Sequence, residues 1–512
     1  MKKLSLVDKG FLLSENKDTP MHVAGISLYT LPEGANEQEF LHDLAETLRT
    51  SETLLPPFGD RLHTGRLGLA GAAHWERDRE LDMDYHVRHS ALPKPGRYRE
   101  LFNLVSRLHG TLLDRSRPLW EMHLIEGLQD RQFAVYSKTH HAAVDGARSI
   151  HISRSMLSSD PNHIMAESPL SLQSWQRYKA ALTMGKPAEY SQGDLRNVSD
   201  MLKSSFDSSA NILRAVQGFA GAWRGEGKLS LPHLKVPRSS LNTEINGSRR
   251  FVAQSWPFAR IRTMAKALDG TFNDAVLAMC AGALRQYLQT HAELPKYSLK
   301  AMVPVSLRQE GDLESGNAVA TISANLATNI ADPAERFQAI RASVQAGKQY
   351  FAEMTPSEVE MVSLIMQTPS LLLMPMGLIS HLPPYNVTIS NVPGIRETMY
   401  WNGAKLTGSY PLSIVTDGMA MNITLVTNAD NVDFGIIACR RSVPQVQRVI
   451  DYMELALVEL EEATGLVTTE REPKTRAKRK TPVKRKAATK SKAKTKAKAE
   501  PKTKSKTKAA KK

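Results

Sequence analysis

Apolar positions recur along this chain with a period near 3.6 in some stretches and near 2 in others. "EQEFLHDLAETLRTS" (37–51) and residues 272–290 carry the helical spacing. In "RQFAVYSKTH" (131–140), Phe133, Val135, Ser137 and Thr139 alternate with Ala134, Tyr136, Lys138 and His140, which predicts a strand with two distinct faces. "YSLKAMVPVSL" (297–307) predicts another strand. The run 385–438 is β-rich, with "MAMNITLV" and "VDFGIIA" joined through "TNADN" as a hairpin. A last helix begins near Ser442-Val443-Pro444 and ends by Gly465. Helices and strands mixed in both halves predict an α/β or α+β protein.

At 512 residues the chain exceeds one ordinary core. The expected division is a first domain over 1–185, a crossover over 186–245, a second domain over 246–465 and a tail over 466–512. The crossover is rich in Ser, Gly, Asn and Lys around a possible helix near 200–223. No repeat of 20–50 residues is present, so a solenoid is not expected. The charge-free stretch "MVSLIMQTPSLLLMPMGLIS" (361–380) is long enough to span a bilayer, but Pro369, Pro375 and Gly377 interrupt it. A buried core segment is the expectation, ahead of a wall for an alkyl chain or a surface that dips into lipid.

Net charge changes the picture only once it is divided. Residues 471–512 carry 20 Lys/Arg and 2 Asp/Glu, a net of +18, while the other 470 residues sum to −3. A lysine-rich tail of this kind is expected to be disordered and to favour an anionic membrane, a lipid-droplet surface or nucleic acid, the last less so. Cys280 and Cys439 are too few and unpaired in spacing for a disulfide framework or a zinc site. The first twenty residues interleave charge with apolar side chains and lack a signal-peptide core, so a cytoplasmic protein is expected, peripheral to membrane or lipid inclusions.

The candidate chemistry lies at "YSKTHHAAVDGARSIHISR" (136–154). His140 and His141 diverge if the strand runs that far, which makes a poor chelate, so no metal is expected. One ring can then face a cavity as a general base while the other braces the scaffold. Asp145 and Gly146 close the turn into a helix from about Ala147, with Asp145 held by an arginine, either Arg61 or Arg308. In "TFNDAVLA", Thr271 and Asp274 have capping-box spacing, which places Asp274 at the helix end rather than in catalysis. Asn273 in that first turn is open to packing or to stabilising an oxyanion.

The spacing His140-His141-Ala142-Ala143-Val144-Asp145-Gly146 resembles the HHxxxDG signature of CoA-dependent acyltransferases. More of the chain is similar to one branch, the bacterial wax ester synthase/diacylglycerol acyltransferases. "LSLVDKGFLLSENKDTPMHVAG" looks like their opening, and "SRPLWEMHLIEGL" contains a PLW element at Pro118, Leu119 and Trp120. Asn273-Asp274, "LKAMVPVSLR" ending at Arg308, and "ISNVPG" with Ser390 and Asn391 follow in order. The likeness covers roughly residues 3–460. Asp433-Phe434-Gly435 continues as Ile-Ile, which departs from the DFGWG of plant members.

The resemblance implies two pseudo-symmetric mixed α/β domains, like chloramphenicol acetyltransferase, around a tunnel. Acyl-CoA as co-substrate and a long-chain alcohol or diacylglycerol would meet there at His141, the general base. His140, Asp145, Gly146 and Asn273 would support it, with no bound cofactor and no metal. The rivals are a condensation domain, a small-molecule acyltransferase, and a non-enzymatic droplet or nucleic-acid binder acting through its tail.

Overall fold

The computed structural model describes residues 2–183, 235–306, 319–352 and 376–466, apart from 51–52, 66–67, 70–72, 145 and 166. Between 353 and 375 it describes 354, 359, 362, 366, 370, 373 and 374. The possible helix near 200–223 and the basic tail lie outside these residues. Met1–Val467 form one compact unit.

The strands pair into three sheets. The smallest holds β1 (Lys2–Lys3), β3 (Asp60–His63) and β4 (His74–Arg77), with β4 in the middle. The first large sheet contains β2 (His22–Thr30), β5 (Val87–Ala91), β6 (Trp120–Glu126), β7 (Gln132–His140), β12 (Tyr400–Trp401) and β13 (Ala404–Leu412). Its order is β12-β13-β2-β7-β6-β5. The second contains β8 (Arg249–Pro257), β9 (Lys300–Ser306), β10 (Val319–Asn325), β11 (Val387–Ile395), β14 (Met421–Asn428) and β15 (Asn431–Cys439). Its order is β10-β9-β11-β14-β15-β8.

The first half carries helices α1 (Leu6–Ser14), α2 (Glu37–Arg49), α3 (Met83–His86), α4 (Tyr98–His109), α5 (Gly146–Ser155) and α6 (Leu172–Thr183). The second carries α7 (Phe258–Ala267), α8 (Phe272–Thr290), α9 (Pro333–Ala352) and α10 (Gln447–Ala463). Helix α8 is apolar nearly all round, with every residue from Asp274 to Leu284 buried, because α7, α9 and α10 all pack on it.

The β-rich run 385–438 does not stay in one sheet. Strand β13 leaves the second half and pairs antiparallel with β2, from Lys405 opposite Thr30 to Leu412 opposite Ala24. It stays close to β15 because Gly435 lacks a side chain: a Cβ there would collide with the Pro411 carbonyl. Asp433 ties the same crossing, accepting the Ser409 N–H at 2.7 Å and the Ser255 hydroxyl at 2.5 Å. Asp433-Phe434-Gly435 therefore joins the two sheets, beyond its part in the β14–β15 hairpin.

The apolar stretch 361–380 divides as well. Among its described residues Val362, Met366 and Ile379 are buried, while Met376 and Leu378 are exposed.

Candidate active site

Strand β7 ends at His140, so strand alternation stops there and His141 opens the following turn. The two histidines differ in burial and in duty. His140 is 0% exposed and builds the turn. Its carbonyl accepts the Ala143 and Val144 N–H groups at 2.9 and 3.3 Å, and its Nδ1 accepts the Ala142 N–H at 3.1 Å. That leaves Nε2 as the protonated nitrogen, 3.4 Å from Glu15 Oε1. His141 is only partly buried, and its N–H extends the ladder to the Met21 carbonyl at 2.9 Å.

The rings meet α1 and its C-cap. Phe11 stacks on His141 with centroids 4.2 Å apart and planes 23° from parallel. Glu15, the C-cap residue just past the helix, meets His140. The Glu15 side chain is 2% exposed and fully engaged. It accepts the Met21 N–H at 3.1 Å and bonds Arg115 Nε and Nη2 at 3.2 and 3.0 Å. Burial alone would raise its pKa, but His140, Met21 and Arg115 outweigh it and hold the carboxyl below its usual range. Arg115 also donates to the Leu12 carbonyl at 2.7 Å, so it clamps α1 to the loop before β6.

Behind the pair runs a file of buried polar groups. Lys138 Nζ lies 2.6 Å from Glu121 and donates to the Leu108 and Thr111 carbonyls, both at 2.9 Å. Burial pushes Glu121 up, yet His123 and Lys138 bring it down to about 2. His22, opposite His140 in the β2–β7 ladder, contacts the His109 carbonyl at 2.8 Å. His109 in turn reaches the Tyr136 hydroxyl and the Ser413 carbonyl. Burial lowers the pKa of His22 well below its ordinary value and that of His109 to about 3, so both are neutral at pH 7.

The PLW element supports the site from beneath. The Leu119 carbonyl accepts the His140 N–H at 2.9 Å, and Leu119 packs with Leu4, Leu12 and Ala142. Trp120 is 1% exposed, stacks on His86 and donates from Nε1 to the Phe58 carbonyl at 2.8 Å. Pro118 is buried at the strand entrance, bridged to Arg61. Arg61 itself pairs with Glu76 at 2.9 Å. Asp145 and Arg308 lie outside the described residues, and Gly146 is the first residue of α5.

The second half contributes at a distance in sequence. Ser390 and Asn391 are half-buried on β11, parallel to β14 opposite Thr424 and Leu425. Gly394 ends that motif where a Cβ would collide with the Thr427 carbonyl. Its carbonyl accepts Arg154 Nη2 from the last turn of α5 at 2.8 Å, which ties "ISNVPG" to the helix behind the histidines. Thr271 and Asp274 form a reciprocal capping box at the start of α8, and Asn273 is half-buried beside it. Among the described residues no group of three or more His, Cys, Asp or Glu is placed to hold a metal ion.

Phe11, Glu15, Arg115 and Arg154 escaped sequence reasoning. Phe11 and Glu15 fall inside the opening quoted for its resemblance, but no local pattern marks a carboxylate that meets its histidine 125 positions later in the chain.

Residues 4–276 match the family model described as the wax ester synthase/diacylglycerol acyltransferase catalytic domain, and residues 315–461 match the WS/DGAT C-terminal domain. A putative diacylglycerol O-acyltransferase of Mycobacterium tuberculosis H37Rv is 42% identical over 467 residues, covering 90% of this chain and 100% of that protein. The O-acyltransferase WSD of Acinetobacter baylyi is 38% identical over 476 residues, covering 93% and 100%. The solved wax ester synthase/diacylglycerol acyltransferase of Marinobacter aquaeolei VT8 superposes with a TM-score of 0.72 at 38% identity, covering 91% of this chain and 100% of that one. The first condensation domain of the CDA synthetase shares the fold at TM-score 0.53 and 14% identity, over 90% and 96% of the two chains. With both family models matched in order and relatives aligned along nine-tenths of its length, the chain belongs to the wax ester synthase/diacylglycerol acyltransferase family.

Proposed function

We propose that this enzyme transfers a long-chain acyl group from acyl-CoA to a fatty alcohol or diacylglycerol, with His141 as general base. One observation carries the assignment within the pair: His140 is fully buried and committed to its turn and to Glu15, whereas His141 is only partly buried.

His141 takes the hydroxyl proton as the acceptor oxygen attacks the thioester carbonyl. The tetrahedral intermediate collapses, the C–S bond breaks, and the same imidazolium returns the proton to the CoA thiolate. The acceptor oxygen is itself the nucleophile, so no acyl-enzyme forms. The Phe11 face favours the imidazolium while it exists, by about 0.5–2 kcal/mol. The His140 carbonyl and Nδ1 and the Leu119 carbonyl hold the turn, and Arg154 ties down the helix that follows.

Acceptors of this kind partition into lipid. Among the described residues no helix is long and apolar enough to cross a membrane. The net +18 over 471–512 supplies attraction to an anionic surface, at most about 1 kcal/mol for each basic residue close to it.

Thiol release from palmitoyl-CoA tests the reading. Hexadecanol or diacylglycerol should each stimulate release and yield ester, while acetyl-CoA with a short alcohol should give little. Turnover with acetyl-CoA and a short alcohol alone would assign the protein to small-molecule acylation instead.

A further inference from the structure

One oxygen of Glu15 faces both flanks of His141. Oε1 accepts the Met21 N–H at 3.1 Å and lies 3.4 Å from His140 Nε2. The Met21 carbonyl accepts the His141 N–H at 2.9 Å, and His140 precedes His141 in the chain. Glu15, Met21, His141 and His140 therefore close a circuit with the His141 backbone as one link. Met21 is 1% exposed, His140 0% and the Glu15 side chain 2%, so water cannot replace a lost partner.

The circuit is held from outside at two places. Oε2 takes Arg115 Nε and Nη2 at 3.2 and 3.0 Å. The loop between Glu15 and Met21 is pinned as well. Asn16 Oδ1 accepts the Asp18 and Thr19 N–H groups at 2.8 and 3.1 Å. Asp18 Oδ1 accepts the Gly247 N–H at 2.9 Å, and the Asp18 carbonyl accepts Arg249 Nη2 at 2.6 Å. Phe11 covers one face of the His141 ring, which limits tilt but lets the ring slide in its own plane. The backbone anchor supplies the placement that a stack does not.

We infer that Glu15 is a positioning residue for acyl transfer. Through the Met21 peptide and the His140 ring it fixes where His141 presents its imidazole to the acceptor hydroxyl. The inference rests on His141 as the base and adds what holds that base in place. Its reach matters more than its charge, because the two arms to His141 both leave from Oε1 while Arg115 takes Oε2.

The test compares Glu15→Gln, Glu15→Asp and Glu15→Ala in the full-length enzyme, by thiol release from palmitoyl-CoA with hexadecanol and by melting. Gln keeps the length, so its amide oxygen still accepts from both donors. Arg115, with 38% of its side chain exposed, can then turn to water. Asp keeps the charge and can follow Arg115, but falls one methylene short of Met21 and His140. The kcat of Glu15→Asp and Glu15→Ala should drop about tenfold or more, since a displacement of about 1 Å can cost 10²-fold. Glu15→Gln should stay within about threefold of the parent, and KM for palmitoyl-CoA within about twofold in all three. An ion pair with Arg115 that merely stabilises the fold gives the reverse order, Asp above Gln, with losses that track Tm. That order, or a Glu15→Asp enzyme with the parent kcat, overturns the inference. Should Glu15→Ala unfold, because it strands His140 and Arg115, the comparison of Asp with Gln decides alone. Glu15→Asp is also placed in the His141→Ala background, where no ring is left to position. A further loss within about twofold there supports positioning, and a repeat of the full loss refutes it. Near-parent activity of His141→Ala itself would remove the base on which the inference rests. Full activity of Glu15→Asp beside an inactive His141→Ala would remove the inference alone.

Discussion

The two six-stranded sheets match in size and differ in what they bury. The first keeps His22, Glu121, His123, Lys138 and His140 at 5% exposure or less. The second buries Ile423, Leu425, Phe434, Ile436 and Ile437 at 1% or less. Its buried cations Arg249 and Lys300 stand at the first residues of β8 and β9, and its interior Asp433 is occupied in joining β13. Buried charge is tolerated only when paired and hydrogen-bonded. The first sheet meets that condition with Lys138 on Glu121 and Glu15 on Arg115, and the histidine pair sits at the end of this polar file. Buried histidines and interior ion pairs are thus concentrated at the first sheet, while the second buries mainly apolar and uncharged polar side chains between its strand ends.

The sharpest way to break the comparison is at His141. His141→Ala should lower turnover by about 10²–10⁴-fold, the usual share of general-base catalysis. Melting should stay unchanged, because the turn is built by the carbonyl and Nδ1 of His140 rather than by His141. Activity near that of the parent, with equal melting, would remove the chemistry from the first sheet.

A smaller effect separates the sheets by pH. His109 has a folded pKa of about 3, because burial disfavours its charged form, against an unfolded value near 6.5. Below pH 6.5 the unfolded chain binds a proton that the folded one refuses, so the stability present above 6.5 falls as pH drops towards 3. At pH 5 the loss from His109 is about 2 kcal/mol, and His22 adds in the same direction. Carboxylates such as Glu121 and Glu15 add theirs only below about 4.5. Denaturant melts between pH 7 and 5 should therefore show a slope that His109→Gln makes shallower. An unchanged slope would mean that His109 at the end of α4, packed against His22 and Tyr136 of the first sheet, does not govern the acid response.

Local pattern made much of this architecture readable. The 132–140 strand, the 37–49 and 272–290 helices and the 421–439 hairpin follow from period and turn residues, which are properties of neighbours in sequence. The histidine pair was legible because its spacing is compact. Three things were not. Which sheet β13 joins depends on a long-range ladder to β2 that no local period encodes. The Glu15–Arg115–His140 contact links three distant segments. Strand alternation parts the two rings only if the strand runs through both, and it stops at His140, with Phe11 of α1 on His141 and the C-cap residue Glu15 on His140.

The smallest effect concerns the start of α8, where the sequence places Asn273 and Asp274 together. Asp274 Oδ2 accepts the Thr271 N–H at 2.9 Å and the Thr271 hydroxyl at 2.7 Å, while its own N–H donates back to Thr271 Oγ1. Asp274→Ala removes only the first half of this exchange. Losing one capping interaction costs about 1 kcal/mol, which lowers Tm by a few degrees at most in a protein of this size. The rate should not change, because the second sheet supplies packing and this helix end is part of it. Phe272 beside it stacks on Phe258 with centroids 4.7 Å apart, a contact wholly within the second half. Asn273→Ala is the informative partner. If Asn273 only packs, its kcat stays within about twofold of the parent. A loss of about 10²-fold or more in kcat at constant Tm is what removal of an oxyanion donor produces. That outcome would carry the chemistry across to the second sheet and undo the division drawn here.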